Sequence, residues 1–104
     1  MLPIDEHSNG RELSLSHPET VELCLKENRT TGFRWALKSP GAPVCELLDE
    51  SFSTDDKSPG GGGTHCWRLR VTGPGRALVE LAYARPWEME KPARTFKLTV
   101  SAGW

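Results

Sequence analysis

The sequence predicts an all-β chain in which two sheets, built from about seven short antiparallel strands, pack face to face. Three observations carry that prediction. Turn-forming clusters punctuate the chain throughout: Asn9-Gly10, His17-Pro18, Ser39-Pro40-Gly41, Ser58-Pro59-Gly60, Gly73-Pro74-Gly75, Pro86 and Pro92. Gly supplies positive φ and Pro presets φ, so such clusters end regular structure. Between them, apolar and polar residues alternate with period two, and no segment offers a convincing helical period.

Each element follows from that alternation. Leu13 and Leu15 start it. Val21, Leu23 and Leu25 then alternate with Thr20, Glu22, Cys24 and Lys26, and Phe33, Trp35 and Leu37 repeat the pattern. The 44–52 stretch, VCELLDESF, is ambiguous. Its Leu and acidic content suits a helical turn, but it reads better as a less regular strand. Trp67, Leu69 and Val71 oppose Cys66, Arg68 and Arg70. Val79, Leu81 and Tyr83 oppose Leu78, Glu80 and Ala82. Phe96, Leu98 and Val100 oppose Lys97 and Thr99. A strand sends successive side chains to opposite faces, so each run has one buried and one solvated side. Seven such strands fit an immunoglobulin-like two-sheet antiparallel β-sandwich, with Trp35 mid-strand where such sandwiches often bury a Trp.

Composition limits what the chain does. Its 104 residues suit one domain spanning 1–104, with room for one core and little for an enclosed active site. The net charge of -1 leaves no basic stripe for a nucleic-acid backbone. No apolar run approaches the roughly 18 residues of a membrane span. Met1–Ser8 is short and mixed and does not read as a signal peptide. A cytoplasmic location is the expectation for the chain as given, or a secreted or periplasmic one if a signal was removed. A monomer is expected, without metal or cofactor. The three cysteines form no CxxC pair. Cys24 and Cys66 fall on outward faces of strands that neighbour each other in an immunoglobulin-like order. Free surface thiols are the expectation, a disulfide between them the alternative. A metal at His65, Cys66 and Cys45 is disfavoured, because tetrahedral sites want four placed ligands.

Three connections are not explained by the core. They are Asn28-Arg29-Thr30-Thr31-Gly32-Phe33, the stretch 59–64 with Gly60, Gly61, Gly62 and Gly63, and the stretch 85–88 beginning Arg85-Pro86-Trp87. Each has a plain structural reading: a turn, a flexible linker and a strand end capped by a Trp. Recognition residues are, however, commonly carried on such loops over a rigid scaffold. Asn28-Arg29-Thr30 is also formally a glycosylation sequon, expected to be unmodified.

Together and in this order, the three stretches resemble the chagasin family of cysteine-peptidase inhibitors. That family carries Asn-Pro-Thr-Thr-Gly-(Phe/Tyr), Gly-x-Gly-Gly and Arg-Pro-(Trp/Phe) in three loops. This chain reads NRTTGF at 28–33, GGGG at 60–63 and RPW at 85–87. The likeness runs from residue 9 to residue 100 and includes Asn9-Gly10, Trp35 and Tyr83. It implies a reversible, non-covalent inhibitor of papain-like cysteine peptidases such as papain or a cathepsin L-like enzyme. The 28–33 loop would enter the active-site cleft, with Thr30 and Thr31 beside the catalytic pair, and loops 59–64 and 85–88 would clamp either side. Arg29 departs from the family's Pro, which costs the free loop some preorganisation, about 1 kcal/mol at most.

Other functions fit less well. A sandwich module binding carbohydrate or a cell-surface ligand through Trp87 would want aromatics and amides where Thr30, Thr31 and Gly32 stand. An interaction domain excised from a larger protein comes next. Catalysis comes last: His7 and His17 lie away from the loops, and GGGGTH lacks the Lys-Ser/Thr of a phosphate loop.

Overall fold

Among the described residues, alternation becomes structure in eight strands and two 3-10 turns. The computed structural model describes residues 1–28, 31–54 and 62–103. The strands are β1 (Leu2–Ile4), β2 (Glu12–Ser16), β3 (Thr20–Asn28), β4 (Arg34–Pro40), β5 (Cys45–Thr54), β6 (Gly62–Val71), β7 (Gly75–Ala84) and β8 (Arg94–Gly103). The 3-10 turns are Glu6–Ser8 and Pro86–Glu88. One sheet has the order β1-β3-β6-β5 and the other β2-β8-β7-β4.

Their inner faces are the apolar phases read from the sequence. Val21, Leu23 and Leu25 of β3 and Trp67, Leu69 and Val71 of β6 meet Val79 and Leu81 of β7 and Phe96, Leu98 and Val100 of β8. Removing this apolar area from water is the main force holding the sheets together.

Three expectations need correction. The sandwich is not purely antiparallel, because β1 runs parallel to β3 and β2 parallel to β8. Both parallel pairs lie at sheet edges, and in each the edge strand is the shorter of the two. β1 was not expected at all. It is three residues long and holds Pro3, which lacks an N–H and is tolerated in a sheet chiefly at an edge. The third correction concerns Cys24 and Cys66, which form a disulfide. They stand directly opposite each other in the β3–β6 register, so the bond needs no displacement of either strand.

The ambiguous 44–52 stretch is a strand, and its irregularity has a cause. The register of β5 against β6 shifts between Leu47 and Asp49. The bulge breaks the alternation, as an extra residue in one strand does. β5 is also an edge strand, so only Cys45 of its residues is buried.

The register fixes which connections share an end. Asn28 pairs with Gly62, Thr54 with Gly63, Arg34 with Ala84, and Arg94 with Tyr83. The connections after β3, β5 and β7 therefore all leave the sandwich at one end. Those between β2 and β3, β4 and β5, and β6 and β7 close the other.

Candidate functional site

The end that carries all three conspicuous stretches is built around one aromatic column. Tyr83, near the end of β7, stacks on Phe33 with ring centroids 5.4 Å apart and tilts against Trp35 at 4.9 Å. The guanidinium of Arg85 also lies over the Phe33 ring, 4.8 Å from its centroid, a cation–π contact. Trp35 is buried and donates its indole N–H to the carbonyl of Lys26 at 2.9 Å. Trp35 in the core and Phe33 half-buried on Tyr83 anchor the exit from the first loop.

Side chains also close the mouth of the first loop. Asn28 donates its backbone N–H to the Tyr83 hydroxyl at 3.3 Å, and the Thr31 hydroxyl donates to the Asn28 carbonyl at 2.9 Å. Gly32 has φ +83°, a conformation that L side chains rarely adopt. A Cβ there would stand 3.4 Å from the Trp87 ring and 3.9 Å from Cγ of Arg85. Loops one and three are thus in contact, with Gly32 as the point of close approach. Pro86 opens the 3-10 turn Pro86–Glu88, and Arg85 and Glu88 approach at 3.8 Å. Trp87 projects from this turn with 72% of its surface exposed.

The glycine stretch divides into two kinds of position. A Cβ on Gly63 would fall 2.5 Å from the Phe52 ring and 2.6 Å from the Ser53 carbonyl, so this glycine is required by the sheet itself. A Cβ on Gly62 would meet nothing within 4 Å. Arg29, Thr30, Gly60 and Gly61 lie outside the described residues. Of the expected site residues, the structure therefore brings together Asn28, Thr31, Gly32, Phe33, Gly62, Gly63, Arg85, Pro86 and Trp87 at one end.

Two residues beneath this end were missed. Glu27 and His65 are buried among the core residues. Glu27 accepts the Trp35 backbone N–H at 2.6 Å, and its same oxygen, Oε1, lies 3.0 Å from His65 Nδ1. His65 Nε2 lies 2.6 Å from Glu50 Oε2, and its ring stacks on Trp67 at 4.1 Å. A signal for both was present. Glu27 continues the inward phase of Val21, Leu23 and Leu25, and His65 begins that of Trp67, Leu69 and Val71. A charged residue in a buried phase needs a partner. Nor are the thiols reactive groups here. Cys66 is committed to the disulfide, and burial pushes the Cys45 thiol up from its ordinary range.

Comparison with known proteins identifies the family and the fold. The model of the chagasin family peptidase inhibitor I42 matches residues 14–100. The chain is 36% identical to chagasin of Trypanosoma cruzi over 84 residues, 76% of each chain. It is 30% identical to amoebiasin-1 of Entamoeba histolytica over 105 aligned residues, covering 96% of this chain and 98% of that one. Among solved structures, the solution structure of amebosin superposes with a TM-score of 0.79 at 26% identity, covering 98% and 97% of the two chains. The E. histolytica cysteine protease inhibitor EhICP2 shares the fold with a TM-score of 0.86 at 22% identity over 98% and 95%. PbICP-C, solved in complex with falcipain-2, shares it at 0.69 and 17% over 99% and 100%.

Proposed function

The chain belongs to the chagasin family of peptidase inhibitors. It is an inhibitor of papain-like cysteine peptidases and not an enzyme, and we propose that it acts by seating the loop 28–33 in the enzyme's cleft while loops 59–64 and 85–88 hold the cleft walls. The observation that carries this reading is the clasp of Gly32 against Trp87 and Arg85, at the end where all three loops emerge.

The physical logic runs from that clasp. A peptidase thiolate attacks a carbonyl only when the two are closely aligned. A loop tied across its mouth by Thr31 and Asn28, and held at its exit by Phe33 on Tyr83, resists the bending that alignment demands. Thr side chains are small and stiff at χ1, which suits a wedge in a narrow cleft. Inhibition is then reversible and non-covalent.

The flanking loops supply different contacts. Gly62 leaves the space beside its Cα empty, so another chain can approach it closely. Trp87 presents a large exposed ring and Arg85 a charge, and Trp and Arg are the residue types enriched where binding energy concentrates. An interface of standard size, about 800 Å² per partner, is expected.

Titrating papain or a cathepsin L-like peptidase with the protein tests the reading. Reversible inhibition, with the protein recovered uncleaved, is the expected result. No inhibition at micromolar concentration overturns it.

A further inference from the structure

The inhibitory loops do not account for the cluster of Glu27, His65 and Glu50, of which the first two are buried and the third half-exposed. We propose that His65 is a positioning residue for inhibition: with protons on both ring nitrogens, it ties the base of the 28–33 loop to the base of the 59–64 loop. This rests on the inhibitor reading above and adds to it a dependence on pH.

The argument begins with proton counting. Both ring nitrogens face carboxylate oxygens, Nδ1 at 3.0 Å from Glu27 and Nε2 at 2.6 Å from Glu50. A neutral imidazole has one N–H and one lone pair, whereas the imidazolium donates twice. The Glu27 oxygen facing Nδ1 already accepts the Trp35 N–H, as an ionised carboxylate does. Glu27 is 2% exposed, and a buried carboxylate needs a positive partner. A doubly protonated His65 answers each requirement, donating to Glu27 on one side and to the half-exposed Glu50 on the other.

Aromatic rings flank His65 on two sides. From β5, Phe52 packs edge-on to its ring, and on β6 Trp67 stacks on it. The hollow beside Glu27 is lined by Lys26 of β3, Tyr83 of β7 and Arg94 of β8. The ion pairs to His65 come from Glu27 of β3 and Glu50 of β5.

Placement turns the cluster into a control on the loops. Glu27 immediately precedes Asn28, and its carboxylate holds the N–H of Trp35, so it pins both ends of the first loop. His65 stands three residues after Gly62, where β6 begins, and Glu50 lies on β5, which leads into the second loop. Loss of one ring proton leaves a lone pair facing a carboxylate and breaks one of the two ties. The loops then lose their fixed spacing and the interface loses preorganisation.

The test compares wild type with His65→Gln, which donates from one side only. The inhibition constant of each is measured against one peptidase across pH, and their ratio removes the enzyme's own titration. In parallel, the ring-nitrogen chemical shifts of His65 are followed by NMR in the free protein. At the acidic end, near pH 5, the ratio is expected to be about tenfold. It should fall toward one over the interval in which the ring loses its second proton. A ratio that stays flat with pH, or a ring carrying a single proton throughout, overturns the proposal. If His65→Gln fails to fold, Glu50→Gln on the half-exposed side replaces it in the same comparison. A wild type that inhibits at no pH means the inhibitor reading itself has failed. Wild-type inhibition with a flat ratio removes only the role of His65.

Discussion

The two ends of the sandwich are built by different means. At the end away from the loops, backbone groups largely satisfy one another, with the Thr72 hydroxyl adding a bond to the Pro43 carbonyl. The Gly41 carbonyl accepts from Val44 and Cys45, both at 2.9 Å, and the Val44 carbonyl accepts from Thr72 at 2.7 Å and Gly73 at 3.3 Å. Val44 seals that end at 1% exposure. At the loop end, side chains do the holding: Tyr83 under Asn28, Arg85 over Phe33, Glu27 beneath Trp35. The difference separates two duties. An end closed by its own backbone contributes stability and offers a partner little. An end braced from below by side chains keeps the Trp87 ring and the open side of Gly62 available for contact.

Removing the most exposed contact group tests that separation most strongly. Trp87→Ala is expected to weaken inhibition by about 2 kcal/mol, about thirtyfold, the size of a hot-spot loss. Its melting temperature should stay that of wild type, because the ring buries little against its own chain. A fall in melting temperature matching the loss of inhibition would merge the two duties and break the comparison.

Gly41→Ala is the converse. Gly41 has φ +86°, and a Cβ there would lie 3.1 Å from a Val79 methyl. Strain and crowding together should cost about 2 kcal/mol of folding stability, measured by urea denaturation. Inhibition by the folded protein should not change. Weakened inhibition well below the unfolding transition would mean that the two ends are coupled through the sheets.

Much of both ends was legible in the sequence, for one reason. Period-two alternation reports which face is buried, and it did so for β3, β6, β7 and β8. It fails where a strand has no clear buried face. β5 is an edge strand with a bulge that resets its phase, and β1 is too short, with Pro3 in the middle, to show a period. The loop motifs were visible as residue types, and the register brought them to one end. What stayed hidden was pairing. Period two sets Cys24 and Cys66 on outward faces but does not say that they are opposite each other. It sets Glu27 and His65 inward but does not say that they meet. Pairing is fixed by register between strands more than thirty residues apart in the chain.

The smallest expected effect belongs to neither end but to the outer face of the β5–β6 pair. Hydrogen bonds from the Arg68 guanidinium hold the Asp49 carboxyl below its ordinary range. A carboxyl whose folded value is depressed adds stability that is present above its unfolded value, and that stability is lost as pH falls through the folded one. Asp49→Asn should therefore lower the melting temperature slightly at neutral pH. Against wild type, the gap should close as pH falls below about 4, the usual carboxylate range. Both partners are exposed to solvent, so salt screens the pair and the gap should also shrink at high ionic strength. Inhibition should not respond at any pH, because Asp49 sits beside the bulge, five residues short of the strand end that feeds the second loop. This separates it from Glu50, the next residue in the same strand, whose carboxylate faces His65. If Asp49→Asn shifted inhibition with pH as Glu50→Gln is expected to, the whole acidic stretch of β5 would govern the loops, and the effect could not be assigned to the buried cluster alone.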